Sequence, residues 1–229
     1  MSEHCCPVVE LRQYTLKAGM RDALIELFDR EFIESQEAAG CQVIGQFRDQ
    51  DDPDRFVWLR GFADVATRAQ ALAAFYGGPV WKAHRDAANA TMIDSDNVLL
   101  LRPARTGSGL DLAGMSRPPL NAPATPQDLL FVTVCHLAEA ADEPFLSTFE
   151  HEVAAHPATI GRPILGCFVT EAAPNNFPAL PVREGENVFV WVSRDPPSVR
   201  SWPRAMTAQF STPPQILRLS PTARSRLRA

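Results

Sequence analysis

Apolar and polar residues alternate along residues 8–16, which read VVELRQYTL. The polar set contains Glu10 and Arg12 and continues to Tyr14, whereas the other set begins with Val9. An alternation with a period of two is typical of a β-strand whose two faces differ chemically. We therefore predict a strand here with one apolar and one polar face.

A change of period marks the next elements. Apolar residues recur every three or four positions through 20–39, which predicts an amphipathic helix. Two strands follow at 42–48 and 55–62, separated by an Asp-rich turn, and Asp64 caps a second helix. A last strand at 97–102 completes the block. This order gives a four-stranded antiparallel sheet with both helices on one face, which is the ferredoxin-like plan.

The second half of the chain repeats this order with matching signatures. The second strand contains IGQF at 44–47 and LGCF at 165–168, and the third contains FVW at 56–58 and again at 189–191. A similarity of this length indicates one supersecondary unit used twice. The elements predicted for the copy are strands at 129–137, 164–171, 187–194 and 215–219, with helices after Asp142 and at 197–209.

These patterns predict an α+β fold of tandem ferredoxin-like βαββαβ repeats, whose antiparallel sheets pack face to face as an α+β barrel. We expect a tail at 1–7, a first domain at 8–103, a Pro-rich linker at 104–127, a diverged second domain at 128–220 and a loose basic tail at 221–229. The linker is long enough for both sheets to meet within one chain. The alternative is a homodimer, in which each block pairs with its counterpart in a second chain.

The copy carries an insertion between its second and third strands, at 172–186, reading AAPNNFPALPVREGE. Its three prolines remove backbone donors, so regular hairpin strands are not expected. Phe177 and Leu180 are too apolar for a solvated loop, and we expect them to dock near the barrel mouth. Two interpretations stay open: a lid that excludes water from a bound ligand, and a loop that covers a sheet edge.

Composition excludes several classes of protein. Hydrophobic residues make up 45% of the 229 positions and charged residues 21%, as in ordinary globular proteins. The net charge of −5 argues against a nucleic-acid or membrane partner, and no apolar run approaches the ~18 residues that cross a bilayer. No signal peptide is visible. Because Cys135 and Cys167 lie in predicted strands, as buried free thiols do, we expect a reduced, cytoplasmic protein.

Several of these segments resemble the NIPSNAP family, within the dimeric α+β barrel superfamily. The resemblance is carried by VVELRQYTLKAG, IGQF and FVWLRGF and by Trp81, and covers 8–103; residues 128–219 match only in element order and in LGCF and FVW. It implies a monooxygenase, isomerase or lyase acting on an apolar carbonyl or aromatic substrate without an organic cofactor. A non-catalytic ligand-binding or protein-interaction module, the role usually proposed for the eukaryotic members, is the alternative.

The polar faces of the first and third strands supply the candidate site. Glu10, Arg12 and Tyr14 share one face, as do Trp58 and Arg60, and we expect both faces to point into the barrel. Both arginines should be more than half buried, near an acidic partner or a bound anion, where they would donate to a carboxylate or enolate. The alternative is a buried ion pair between Glu10 and these arginines that fixes the packing.

His136 is the nearest equivalent of Tyr14 in the second block. On an inward face it could act as a general base or as a metal or haem ligand, since some superfamily relatives hold haem through a histidine. A core histidine bonded to the backbone is the alternative. We therefore predict Arg12, Tyr14, Arg60 and His136 as catalytic residues, with haem or a metal left open.

A second group of residues is expected to bind the small-molecule substrate. It comprises Glu10, Trp58, Trp81, His84 and Phe177. No metal site is predicted, because the spacing of the helical histidines His151 and His156 does not bring both to one helix face, and His4, Cys5 and Cys6 lie in a terminal tail.

Overall fold

The computed structural model describes residues 5–122, 129–155, 164–199 and 202–228. The first half follows the predicted order of elements. They are β1 (Val8–Leu16), α1 (Arg21–Leu27), a π-helical segment (Phe28–Phe32), α2 (Ile33–Ala38), β2 (Gln42–Asp49), β3 (Arg55–Phe62), α3 (Val65–Gly77), α4 (Pro79–Thr91) and β4 (Met92–Pro103).

The second half contains the same strands with shorter helices. Its elements are β5 (Leu130–His136), α5 (Glu143–Thr148), a second π-helical segment (Phe149–Ala154), β6 (Ile164–Thr170), β7 (Val188–Ser193), α6 (Arg204–Thr207) and β8 (Gln215–Pro221). The helix predicted at 197–209 is reduced to α6, which begins directly after Pro203. Proline fixes the backbone and lacks a donor, so the helix starts there rather than continuing through it.

Both predicted helix caps are confirmed. The carboxylate of Asp64 accepts from the backbone N–H of Thr67 at 2.6 Å, and that of Asp142 accepts from the N–H of Phe145 at 2.9 Å. Such bonds satisfy amide groups that the first helical turn leaves without partners. The first long helix, predicted as one element, is interrupted by its π-helical segment and ends at Gly40, whose φ is +98°.

The eight strands form one closed antiparallel barrel in the order β1-β3-β2-β8-β5-β7-β6-β4. Each half contributes four neighbouring strands, ordered β4-β1-β3-β2 and β8-β5-β7-β6. The halves join where Phe47 of β2 faces Pro221 of β8 and where Leu101 of β4 faces Thr170 of β6. The two sheets predicted to pack face to face are therefore also bonded edge to edge, within one chain.

Apolar side chains from every strand fill the barrel interior. They include Val9, Leu11, Phe47, Val57, Leu59, Leu99, Val132, Val134, Phe168, Val190, Leu217 and Leu219. A closed barrel of eight strands is just wide enough to be filled by its own side chains. The expectation that the polar faces point into the barrel is wrong: the apolar faces meet inside, and the polar faces lie beneath the helices.

The terminal segments and the linker are packed more closely than predicted. Leu110 of the linker and Leu227 of the basic tail are both 1% exposed and join the barrel core. The N–H of Leu227 also donates to the carbonyl of Ile44 at 2.8 Å. The sulfur atoms of the adjacent Cys5 and Cys6 are bonded as a disulfide, whereas Cys41, Cys135 and Cys167 are free. Within the described ranges, no helix is both long and apolar enough to traverse a bilayer.

Candidate functional site

A charged cluster lies between the first-half sheet and its helices. The carboxylate of Glu10 accepts from Nη1 of Arg12 at 2.7 Å, from Nε of Arg60 at 2.7 Å and from Nε of Arg68 at 2.6 Å. All four side chains have no exposed surface. The prediction that Arg12 and Arg60 are buried beside an acidic partner is confirmed, and the ion pairs proposed as the alternative are present.

Arg68 is the member of this cluster that the sequence analysis missed. It lies on α3, at the spacing of the buried apolar residues Ala71, Leu72 and Phe75. A cation on the buried stripe of an amphipathic helix must find a partner in the interior, because buried charges are paired. This position was the available signal, and β1 supplies the partner in Glu10.

The cluster has more positive than negative charge. Burial raises the pKa of Glu10, but its contacts with Arg60, Arg12 and Arg68 lower it further, so the pKa lies well below its usual range and the carboxylate stays ionised. Three guanidinium groups against one carboxylate leave two positive charges unmatched within the cluster. Aromatic rings partly stabilise this excess, since the guanidinium carbon of Arg12 lies 5.4 Å from the ring centroid of Tyr14.

Several buried donors in this region have no partner among the described residues. They are Nη2 of Arg60, Nη2 of Arg68 and Nε1 of Trp58. A buried donor that loses its bonds to water without replacing them costs about 1–3 kcal/mol. Packing alone therefore does not account for these three donors.

A cavity of about 330 Å³ opens beside this cluster. Its walls come from β1, α3, α4, β4 and the insertion, through Tyr14, Tyr76, Trp81, Asn89, Met92, Ser95, Asp96, Phe177, Ala179, Leu180 and Pro181. A narrower space of about 30 Å³ continues inward and shares four walls with it, namely Tyr14, Tyr76, Trp81 and Met92. We call the two together the helix-side cavity.

Arg12 lies directly behind one wall of the helix-side cavity. Its Nε donates to the hydroxyl of Tyr14 at 3.0 Å, and its Nη2 lies 3.5 Å from the carbonyl oxygen of Ser95. Both contacted residues line the cavity. The guanidinium of Arg12 therefore meets the cavity wall at the hydroxyl of Tyr14 and at the carbonyl of Ser95.

The insertion at 172–186 covers this cavity rather than the barrel mouth. The ring of Phe177 stacks on Tyr76, with centroids 6.0 Å apart. Nη1 of Arg68 donates to the side-chain oxygens of Asn175 and Asn176, at 3.1 and 2.8 Å. The barrel interior is filled, so the helix side offers the apolar surface that the sequence analysis assigned to the mouth.

The structure does not bring the predicted histidines to the cavity. His136 lies at the end of β5, where its Nδ1 is 3.0 Å from a carboxylate oxygen of Glu186. His84 lies on α4 with its Nε2 3.5 Å from Glu31, beyond the lining residues. The sequence analysis matched His136 to Tyr14, but strand register matches Cys135 to Tyr14, because Tyr14 faces Phe56 and Cys135 faces Phe189 in the two FVW segments. A shift of one residue places a side chain on the opposite face of the strand.

A second cavity, of about 400 Å³, lies in the other half of the chain. Its charged lining residues are Arg105, Asp111 and Glu150, and Arg105 pairs with Glu150 and also with Glu143 outside the lining. The one cation among the described lining residues is therefore already bonded to carboxylates. In the described ranges, no three His, Cys, Asp or Glu residues are grouped to hold a metal ion. His4 and His156 fall outside those ranges.

A known protein family matches the first half of the chain. The NIPSNAP family profile matches residues 9–107 and confirms the resemblance found in the sequence. A NIPSNAP family protein of unknown function from Agrobacterium tumefaciens is 24% identical, with a TM-score of 0.41, over 45% of this chain and 93% of its own. No curated protein matches the sequence.

Two solved structures resemble nearly the whole chain. One, from Lactobacillus acidophilus, is named as a candidate monooxygenase; it is 13% identical, has a TM-score of 0.53 and aligns over 96% of this chain and 98% of its own. The other, from Fusobacterium nucleatum, is also named as a candidate monooxygenase; it is 8% identical, has a TM-score of 0.55 and aligns over 95% and 93%. At these identities the likeness shows the fold alone.

Proposed function

Because the chain carries a NIPSNAP-family domain at residues 9–107, we propose that its activity resides in that half. The protein is a small-molecule enzyme of the monooxygenase, isomerase or lyase type, and it acts on an apolar carbonyl or aromatic substrate without an organic cofactor. Its site is the helix-side cavity, not the barrel interior.

One observation carries this proposal: an aromatic cavity adjoins a buried charge cluster. Small-molecule sites are typically apolar and concave, with a few polar groups that orient the ligand. Here the apolar walls include Tyr76, Trp81 and Phe177, and the polar group is the hydroxyl of Tyr14 backed by Arg12. This cavity combines apolar area for a substrate body with a donor for one oxygen.

The proposed reaction types can share one charged intermediate, an enolate formed beside the substrate carbonyl. Preorganised donors aimed at a developing oxyanion contribute strongly to catalysis. Tyr14 would donate to the oxyanion, Arg12 would stabilise it through Tyr14, and Arg60 would hold Glu10 and so position Arg12. Among the described lining residues, Asp96 is the only carboxylate, and we assign it the role of proton acceptor.

The fold of the second half supports a further part of this proposal, that residues 128–220 are a diverged copy of the first domain. Both halves have the same strand order and a π-helical segment in the same helix. Cys135 in the copy occupies a position on the outward face, where the first half has charged residues. The copy would then serve as a partner for barrel closure, and the first domain would hold the site.

Proton exchange tests the proposed chemistry whichever product the full reaction yields. The protein is incubated in D₂O with a panel of aryl ketones and apolar aldehydes, and loss of the α-proton signal is followed by ¹H NMR. We expect the protein to accelerate α-proton exchange for at least one compound of the panel, and Asp96→Asn should abolish this acceleration. Asp86→Asn, which alters an exposed carboxylate on α4 that does not line the cavity, is the matched control.

The non-catalytic alternative is favoured by one specific observation. Asp96 is an exposed carboxylate and therefore a weak base, and no other described lining residue is a carboxylate, histidine or lysine. A ligand-binding module would bind aromatic probes without accelerating exchange. If aromatic probes bind in a manner that depends on Trp81 and no compound of the panel exchanges its α-proton faster, the protein is a ligand-binding module and not an enzyme.

A further inference from the structure

The hydrogen bonds of Tyr14 point to the charge of the ligand. A tyrosine hydroxyl has one proton to donate and lone pairs to accept. Nε of Arg12 donates to this oxygen at 3.0 Å, and a guanidinium can only donate, so the proton of Tyr14 must point to another acceptor. Among the described residues no acceptor for that proton is found. Since Tyr14 lines the helix-side cavity, its proton is available to a ligand there.

The electrostatic setting of this donor favours an anion. Behind Tyr14, three buried guanidinium groups face one carboxylate, so the inner end of the cavity adjoins two unmatched positive charges. Removal of water strengthens the effect of such charges. Aromatic rings stabilise them only partly, as with Trp58, whose ring centroid lies 5.5 Å from the guanidinium carbon of Arg12 and 5.1 Å from that of Arg60.

The position of Asp96 also favours an anion bound at the inner end of the cavity. Asp96, the one carboxylate among the described lining residues, belongs to the wider outer space and does not line the inner one. The inner walls are mostly aromatic and aliphatic, and the polar atoms among them are neutral ones, carried by Tyr14, Gln36, Trp58, Tyr76 and Trp81. An anionic ligand can therefore place its charge near Tyr14 and its apolar body toward the entrance.

We infer that the helix-side cavity binds its ligand as an anion, a carboxylate or enolate on an aromatic or apolar body, with the charged oxygen bonded to Tyr14. This inference rests on the proposed function, because it uses the same cavity. It narrows the substrate class to compounds that carry, or form in the site, a negative oxygen beside an apolar group. Arg12 is the positioning residue that polarises the Tyr14 hydroxyl.

A matched pair of probes tests the inference directly. 1-Naphthoate and 1-naphthamide have nearly the same shape but differ in charge, and their affinities for the full-length protein are measured by isothermal titration calorimetry at pH 7.5. We expect the carboxylate to bind at least tenfold more tightly. Tyr14→Phe should remove most of that tenfold difference by weakening naphthoate, while the affinity for naphthamide changes less than twofold.

Trp81→Phe shows where the probes bind. Trp81 is shared by both parts of the cavity, so this change should weaken both probes several-fold. Trp202→Phe, in the aromatic cluster of the second half, is its matched control and should change neither affinity. Melting curves of each variant check that the fold is retained. The comparison of naphthoate with naphthamide on the wild-type protein does not depend on any variant.

The possible outcomes separate this inference from the proposed function. Equal affinities, or tighter binding of naphthamide that still depends on Trp81, would overturn the anion inference and leave the proposed cavity in place. An equal loss of both probes in Tyr14→Phe would also overturn it, since the hydroxyl would then not recognise charge. Failure of both probes to bind, or binding indifferent to Trp81→Phe, would count against the inference and the proposed site together.

Discussion

Nη1 of Arg68 donates to the side-chain oxygen of Asn176 at 2.8 Å, so a helix of the first half is bonded directly to the insertion of the second. The same guanidinium holds Glu10 through its Nε. The cover of the helix-side cavity and the buried charge cluster are thus joined through one side chain. Opening of the cover would expose a guanidinium that the closed state keeps from water.

This contact predicts that the insertion controls ligand release. Replacing Asn175 and Asn176 together by alanine removes both acceptors of Arg68 Nη1 and weakens the closed state. We expect the dissociation rate of a bound aromatic probe to rise several-fold, measured by stopped-flow tryptophan fluorescence. The melting temperature should fall by only a few degrees, because the barrel core is untouched.

Asn187→Ala is the matched control for this pair. Asn187 accepts from Leu137 through its backbone carbonyl, which alanine retains, so probe release should be unchanged. A loop that merely covers a sheet edge would behave differently, because its loss would lower stability and leave release unaffected. That result, in the double variant or after deletion of residues 174–182, would contradict the lid.

Removal of the central carboxylate should destabilise the protein strongly. Glu10→Gln keeps the shape of the side chain but leaves three buried guanidinium groups without a counter-ion. Breaking a buried pair in this way costs about 3–5 kcal/mol, and urea denaturation should show a loss of that order. Glu26→Gln breaks an exposed pair with Arg30 and should cost at most about 1 kcal/mol. Similar losses for both variants would mean that the cluster contributes little.

Asp29 should make stability fall as the pH rises. Burial raises its pKa to about 6 from an ordinary value of 3.8, and nearby arginines offset this only in part. The folded protein therefore holds this proton between about pH 4 and 6 where the unfolded chain releases it, and stability declines through that window as pH increases.

Asp29→Asn abolishes this titration, so its stability relative to the wild type should rise from pH 4 to 6 and then level off. Urea denaturation at half-unit intervals measures the difference. Asp86→Asn, which alters an exposed carboxylate, is the control and should track the wild type. A difference between Asp29→Asn and wild type that stays constant across the window would show that the proton is not held.

The C-terminal segment should contribute to stability although its composition is that of a loose tail. Leu227 is 1% exposed and packs into the barrel core, so Leu227→Ala should cost about 2–5 kcal/mol. Leu120→Ala, at a position 46% exposed, should cost less than about 0.5 kcal/mol. Thermal and urea denaturation measure both. A cost near zero at Leu227 would mean that the segment is not bound in solution.

The sequence predicted strands and caps well because their signals are local. The bounds of β1 and the caps at Asp64 and Asp142 follow from neighbouring residues, and the structure has all three. Local signals could not predict which face of β1 points into the barrel. Both faces of β1 are buried, so alternation shows that the faces differ but not which layer each one meets.

The candidate site was predicted in part for the same reason. Glu10, Arg12, Tyr14 and Arg60 share a layer because strand pairing places them together, and strand pairing was predictable. Arg68 was missed because its place depends on how α3 packs over β1, which is a tertiary relationship. His136 was misassigned because a one-residue shift between two diverged strands changes the face without altering the pattern visibly.

The closed barrel also bears on stoichiometry. Each half supplies its own layer of helices, so the architecture has two positions where a ligand could lie between helix and strand. The outward residue Cys135 of β5 belongs to an apolar cluster, whereas the outward face of β1 carries Glu10 and Arg12. Because both halves are parts of one chain, they can differ in sequence, as two copies in a symmetric dimer cannot. A barrel of this protein should therefore saturate at one equivalent of anionic ligand, while a barrel built from two identical chains would take two.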